Sequence, residues 1–392
     1  GAAMFEGDRS LYPTVVDGKA QFDLASGKLL KLWQGPQHPG ITGNMSLELV
    51  VSGDEVYDCK VHVGYLHRGF EKLIEQRLYI QSFPLVCRIC VPEPDFNEYL
   101  YAVALEELAG ITIPERAEWL RILTLEMARL TSYLMWIGGQ AGAFGHGTIG
   151  QWTVTYRDYM LDLFEELSGM RIYHKYIIPG GVRNDLPAGF TDRLETTLAK
   201  TEKLLQELEI VLLNNAIIKA RAVGLGIITP DMIDRYGITG PNQRAAGFKR
   251  DLRKDQPNPV YDQLDFEPVT GSASDAYDRL LCRYHEMHQS INLIRQIVGK
   301  MPKSGPFHEQ LPNVLHWEIP PGQTYKKAEC TRGEYGYFVV SDGSTKPRRA
   351  YVRGPSYTHA MVVMERLAIG TNLADIAGLM VSLHTYPPEV ER

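Results

Sequence analysis

Two of the five cysteines, Cys87 and Cys90, stand three apart in the stretch FPLVCRICVPEPDFNE. Thiols at that spacing supply half of a closed tetrahedral metal site, which wants four ligands. They also suit a redox dithiol, provided a nearby cation lowers a thiol pKa. Two small core residues would look the same. Arg88 lies inside the pair, and Arg68 and Arg77 are cations that a fold can bring alongside. His38, between prolines in GPQHPGITG, sits where a rigid loop can aim a side chain. On these residues alone a hydrogen-bonded structural histidine is the plainer reading. The segment GYLHRGFEKLIEQR adds His67, Arg68, Glu71 and Lys72, which equally describe a helix start with a charged face. His174 follows a helix end in SGMRIYHKYIIPGGVRNDLP. Cys59 and Cys282 read as apolar filler in a strand and a helix.

The elements that must position these residues show in the periodicity. SLELVV (46–51) and VYDCKVHV (56–63) flank the turn SGDE, a hairpin signal. Pro114 opens a helix whose stripe runs Leu120, Leu123, Met127, Leu130, Leu134, Ile137. Further helices are expected over about 153–167, stopping at Gly169, over about 191–212, and over about 275–298, stopping at Gly299. Four long amphipathic helices predict a bundle core. Residues 229–274, rich in Gly, Pro, Asn and Asp, predict an ordered irregular loop region. GYFVV and RRAYVR around SDGSTKP predict a second hairpin. A helical region over about 357–383 then leads into the tail HTYPPEVER. The expected class is α+β and mainly helical: a β-rich part over 1–66, then one integrated catalytic region over 67–392.

Composition narrows the classes. Apolar residues at 44% and charged residues at 22% suit a folded domain with a large core. A net charge of −6 argues against a nucleic-acid partner. The most apolar stretch, from Ile210, is broken by Asn214, Asn215, Lys219 and Arg221, so no membrane span is expected. No signal peptide is visible, and an odd cysteine count without a regular framework points to a reducing, cytoplasmic setting.

The order of motifs is more specific than any one of them. It runs GPQHP, H-R-G-x-E-K, R-I within the cysteine pair, P-E-R-A, S-G-x-R, P-G-G-V-R, S-G-P and S-D-G-S. Over nearly its whole length this resembles the large catalytic subunit shared by respiratory complex I, its 49-kDa quinone-site subunit, and the membrane-bound [NiFe] hydrogenases. Within that superfamily it is most similar to the catalytic subunits of archaeal membrane-bound sulfane sulfur reductases. The resemblance implies a hydrogenase large-subunit-like fold.

The departures from the family pattern carry the functional expectation. In the quinone-reducing relatives the first motif has a second histidine that helps bind the quinone head; here that position is Thr42. The tyrosine on the other side of the head is replaced by Val91. A carbonyl-reducing site without its donors loses transition-state stabilisation, so quinone reduction is not expected. The hydrogenases hold nickel and iron on four cysteines. The first pair matches Cys87 and Cys90, but the second falls on Tyr386 and Glu389. Hard oxygen ligands do not replace thiolates for a soft centre, so no [NiFe] centre is expected. What the resemblance leaves is a dithiol facing a sulfur substrate, able to attack S–S bonds.

Electrons would come from an adjacent iron–sulfur small subunit with a [4Fe-4S] cluster beside the cavity. This chain lacks the cysteines to bind a cluster itself. Arg68 and His174 match residues near that partner's cluster; His38 and Glu71 are proton-handling candidates; Thr42, Val91, Tyr386 and Glu389 would line the substrate cavity. The implied setting is the peripheral arm of a membrane complex, on its cytoplasmic side, with other peripheral-arm, anchor and antiporter-like subunits that move H⁺ or Na⁺. A quinone- or phenazine-type reductase and a non-catalytic coupling scaffold are the competing expectations.

Overall fold

The computed structural model describes residues 8–16, 19–37, 45–256 and 258–392. His38 and Thr42 lie outside them. After a short two-stranded pairing of Thr14–Val16 with Lys19–Gln21 comes a three-stranded antiparallel sheet, β1 (Leu30–Gln34), β2 (Ser46–Ser52) and β3 (Glu55–His62), in the order β1-β2-β3. The hairpin β2–β3 turns at Gly53, whose φ of 57° is open to glycine at no steric cost. Short helices α1 (Phe70–Glu75) and α2 (Phe83–Val86) follow.

Then come the bundle helices: α3 (Pro94–Ala109), α4 (Glu115–Ala143), α5 (Gly147–Ser168), α6 (Phe190–Leu208) and α7 (Ala276–Lys300). α3 was not among the expected helices. It is buried on nearly every face, including Asp95, Asn97, Glu98 and Glu106, so no polar stripe marks it. α4 runs through Gly138 and Gly139 to Ala143, past the end of its leucine stripe. α7 is N-capped by Asp275, which accepts from Asp278 N–H, and it continues through Gly299. Among its described residues the loop region 229–274 contains three short α-helices and one 3-10 turn, Tyr261–Gln263.

A second antiparallel sheet, β4 (Gly322–Cys330), β5 (Gly333–Ser341) and β6 (Arg349–Arg353), lies along α3. The expected hairpin is its β5–β6 half. The region 357–383 breaks into short helical pieces, ending in α8 (Ile376–Ser382), and the tail forms α9 (Pro387–Glu391).

Two apolar cores result. The larger joins the bundle helices to the second sheet. The smaller packs Met45, Leu47 and Leu49 against Ile376, Leu379 and Met380, so the N-terminal sheet and the C-terminal helices share one interior. Backbone bonds reinforce that junction: Val56 N–H to Thr371 O at 3.1 Å and Gly370 N–H to Val56 O at 2.8 Å.

Candidate active site

The cysteine pair occupies the turn between α2 and α3. α2 ends at Cys87, whose N–H still reaches Phe83 O at 3.3 Å, and Pro94 starts the next helix where its missing N–H costs nothing. Arg88 N–H and Ile89 N–H close the turn on Leu85 O and Val86 O. Arg68 holds it from outside, giving Nη1 to Arg88 O at 2.8 Å and Nη2 to Ile89 O and to Pro388 O in the tail. Both thiols are completely buried.

Their environments differ. Cys87 Sγ bonds Pro84 O at 3.4 Å and receives Arg88 Nη1 at 3.6 Å, while the Arg88 guanidinium stacks on Tyr173. Burial, and then the Glu98 carboxylate, push the Cys87 thiol up to about 12 against the pull of Arg88. The cation expected to activate this thiol is outweighed by desolvation, so Cys87 is a thiol at rest. Cys90 Sγ lies 2.8 Å from Arg332 Nη2, on the turn between β4 and β5. Burial pushes it well above the ordinary thiol range too, with Arg332 as the opposing influence.

Arg332 is the hub of the site. It is wholly buried and pairs with Glu93 and with Glu389, the latter at 3.1 Å. Its guanidinium also faces the Tyr386 ring. Glu93 accepts from Thr331 N–H at 2.9 Å, so the glutamate that opens α3 fixes the arginine turn. Glu389 accepts from Ser356 N–H at 3.0 Å, and Gly354 lies so close that a Cβ there would stand 2.9 Å from Glu389 O. Burial raises the Glu389 carboxyl above its usual range against the pull of Arg332. One cation thus serves two carboxylates and a thiol in a dry interior, where such contacts are strong and costly to break. Cys330 belongs to the same cluster, its Sγ accepting from Arg332 N–H at 3.4 Å.

A cavity of about 430 Å³ opens beside this hub. Pro92, Trp136, Met380 and Val381 give it apolar walls, Met135 is exposed on it, and Ser132, Arg332, His384, Thr385 and Tyr386 supply its polar side chains. Apolar walls with a few convergent polar groups are the usual make-up of a ligand site.

The remaining expected residues fall in distinct places. Tyr386 lines the cavity, and burial pushes its phenol above the ordinary range. Val91 itself is half-buried and does not line the cavity. Nor does Glu389, which lies behind Arg332 against Ser356. Arg68 clamps the cysteine turn, as described. Glu71 takes Arg349, Arg392 and the Val352 N–H, and lines a separate polar cleft with His67 and Glu391. These bonds make it the centre of an ion-pair cluster.

His174 is buried and stacked on Phe164 with centroids 3.9 Å apart. Its Nδ1 meets the Asp95 carboxylate at 2.9 Å and its Nε2 meets Arg171 O at 3.0 Å. Acceptors at both ring nitrogens favour the imidazolium. Burial pulls the pKa down, but Asp95 outweighs it and the net direction is up. Beside it, Glu98 accepts the N–H groups of Lys175, Tyr176 and Ile177, yet burial and then Asp95 push its carboxyl up to about 8.

Reasoning from the sequence missed Arg332, Glu93, Cys330 and His384. The available signal was ECTRGE, an arginine two residues after a cysteine at a tight turn, but its partners lie about 240 residues upstream.

Comparison with known proteins places these features in a family. Residues 143–392 match the model of the respiratory-chain NADH dehydrogenase 49-kDa subunit. The chain is 41% identical over 366 residues to an NADH-quinone oxidoreductase subunit from Thermosipho melanesiensis, covering 93% of this chain and 99% of that one. It is 36% identical to an F(420)H(2) dehydrogenase subunit from Methanosarcina mazei, over 91% and 96% of the two chains. Among solved structures it is similar to a chain of the membrane-bound sulfane sulfur reductase, an archaeal respiratory membrane complex. There the TM-score is 0.91 and the identity 41%, over 93% of this chain and 99% of that one. The chain belongs to the 49-kDa subunit family of the respiratory-chain NADH dehydrogenase.

Proposed function

We propose that this chain is the catalytic subunit of a membrane respiratory complex that reduces sulfane sulfur. The observation that carries the reading is the 2.8 Å contact between Cys90, which lies behind the cavity wall, and Arg332, which lines the apolar cavity. Arg332 is placed to stabilise Cys90 as a thiolate, and Glu389, with its raised pKa, to take the proton. The Cys90 thiolate attacks one sulfur of a substrate R–S–S–R′. A Cys90–sulfur bond forms, the substrate S–S bond breaks, and R–S⁻ leaves. Two electrons, supplied by an iron–sulfur partner subunit, then cleave the Cys90–S–S–R′ bond to give Cys90 thiolate and R′–S⁻. The two leaving sulfurs, R–S⁻ and R′–S⁻, take up one proton each from solvent in the cavity. Cys87, three residues away, is the second thiol of the pair.

The donor set does not fit a nickel–iron centre. Three thiols lie in the cluster, Cys87 and Cys90 each in contact with a guanidinium and Cys330 accepting from the Arg332 backbone, and Glu389 is committed to Arg332 and Ser356. No step is routed through such a centre. The solved sulfane sulfur reductase, at 41% identity, supports the sulfur reading. No helix among the described residues is long and apolar enough to cross a membrane. Attachment to membrane anchor and antiporter-like partners, on the cytoplasmic side, and any H⁺ or Na⁺ movement would therefore run through other subunits.

The quinone-linked names of several relatives favour a second reading, a quinone-type reductase. Sulfide release by the intact complex separates the two. The sulfur reading expects a trisulfide to give thiol and persulfide in a first two-electron round and sulfide when the persulfide is reduced in a second, with both lost on Cys90→Ser. The quinone reading expects quinone-analogue inhibition and indifference to that substitution.

A further inference from the structure

Two arginines one turn apart on α7, Arg279 and Arg283, are wholly buried, and among the described residues neither forms an ion pair with a carboxylate. Their bonds go to neutral groups. Arg279 gives to Ser382 Oγ, Gly226 O and Ser274 O, each at 2.8 Å; Arg283 gives to Arg279 O at 3.0 Å and Asn242 Oδ1 at 2.8 Å. The acids nearest along the helix are committed elsewhere. Asp275 accepts from the Gly224 and Asp278 N–H groups, Asp278 from the 272–274 backbone, and Glu286 from Arg244 and the Tyr133 hydroxyl. Burial pushes Arg279 down to about 9 and Arg283 down to about 10, both above neutral pH, so both remain cations. The imidazoles beside them add no charge: burial, and then Arg283, hold His359 down to about 3 and His384 well below its usual range.

These cations back one wall of the cavity beside Arg332. Trp136, Met380, Val381, His384 and Thr385 form that wall. Arg283 stacks on Trp136 with its guanidinium carbon 4.7 Å from the ring centre, and the indole N–H is fixed on Val381 O at 2.6 Å. Asn242 takes Arg283 on its carbonyl oxygen and gives its amide to Leu383 O at 2.9 Å. Arg279 holds Ser382 between them. Both charges therefore lie one layer of residues behind the cavity, and neither lines it. Arg332, on the cavity itself, is already matched by Glu93 and Glu389, so the excess positive charge comes from α7. Buried charges are ordinarily paired, and an uncompensated pair of cations behind an apolar wall acts across it with little screening.

We propose that Arg283, with Arg279 behind it, sets the charge preference of the cavity and favours anionic sulfur acceptors, such as polysulfide dianions, over neutral organic trisulfides. The inference rests on the sulfur-reducing reading and deepens it. Arg283 touches no acceptor; it acts through Trp136, and its role is in specificity rather than in the chemical step. A unit charge roughly 10 Å from an anion, at an effective dielectric near 20, changes binding on the order of tenfold and leaves a neutral molecule little affected. The apolar walls treat the two kinds of sulfur chain alike, so the charge decides between them.

The test uses the whole anaerobic complex and reads the ratio of kcat/KM for polysulfide to kcat/KM for dimethyl trisulfide. In Arg283→Met that ratio should fall on the order of tenfold. Arg283→Gln, which can still reach Asn242, carries the same expectation should the Met variant fail to assemble. Ser382→Ala removes a bond to the wall but keeps both cations, so it should change the two acceptors by the same factor. Labelled iodide in equilibrium dialysis reads the same charge without turnover: saturable binding is expected in the wild type, weakened on the order of tenfold by Arg283→Met or Arg283→Gln. Equal losses for the two acceptors in the Arg283 variants would overturn the proposal. So would a Ser382→Ala variant that shifts the ratio as far, or iodide binding that is absent from the wild type or indifferent to Arg283. A complex that binds iodide through Arg283 but reduces neither acceptor would sink the sulfur-reducing reading and leave the charge preference of the cavity standing.

Discussion

Replacing Arg332 by Met tests the hub of the site. The side chain is wholly buried and joins Cys90 at 2.8 Å, Glu389 at 3.1 Å and Glu93. Methionine fills much of the volume but strands two carboxylates in the interior. Removing one partner of a buried ion pair costs about 3–5 kcal/mol. The Glu389 carboxyl, already raised by burial, can relieve the strain by holding a proton. In the variant its folded pKa rises further above the unfolded value, so the native state binds more protons than the unfolded one, and stability falls as pH rises through the folded pKa. The deficit should therefore be small near pH 5 and largest near pH 8. At pH 8 the melting temperature of the complex should drop on the order of 5 °C, with sulfide release abolished at every pH. Arg332→Lys keeps the charge but loses the fork, so it should recover much of the stability and little of the turnover. A Met variant that melts like the wild type at pH 8 and still turns over would refute the reasoning, because the two glutamates would then not depend on Arg332.

Other perturbations have defined outcomes. Asp95→Asn removes the carboxylate that raises the His174 pKa. Stability from a raised histidine pKa is complete below the unfolded value and lost as pH rises through the folded one, so this variant should lose more stability at pH 6 than at pH 9. Melting curves at the two pH values check it. Gly138→Ala would place a methyl against Thr153 Oγ1 and 3.0 Å from Gly150 Cα, where α4 meets α5. Overpacking there should cost about 1–3 kcal/mol, read from chemical unfolding. Glu126 accepts from Tyr261 at 2.6 Å and Ser290 at 2.8 Å and pairs with Arg129 and Arg253, all buried. Glu126→Ala should leave those arginines underpaired and destabilise by about 3–5 kcal/mol by the same measurement.

Much of the scaffold was legible because its signals are local. The β2–β3 hairpin shows in strand alternation around SGDE, and α4 and α6 show in leucine spacing. α3 escaped because burial on all sides removes the polar stripe, and its carboxylates are satisfied by distant partners such as Arg121 and the 175–177 backbone. β4 escaped because its alternation is blurred by KK and EC at its end. The cysteine pair was legible from spacing. Its chemistry was not, because the decisive cation arrives from a turn far along the chain, and Arg88, the sequence neighbour, is outweighed by desolvation. Glu389 was legible as a position in the tail, but its place behind Arg332 depends on Gly354 and Ser356.

The most direct measurement is sulfide release by the intact complex with a trisulfide as acceptor, wild type against Cys90→Ser. Serine keeps the shape and removes the nucleophilic sulfur. The account predicts that release falls to background while assembly and melting temperature stay near wild type. Undiminished release from the serine variant would contradict it.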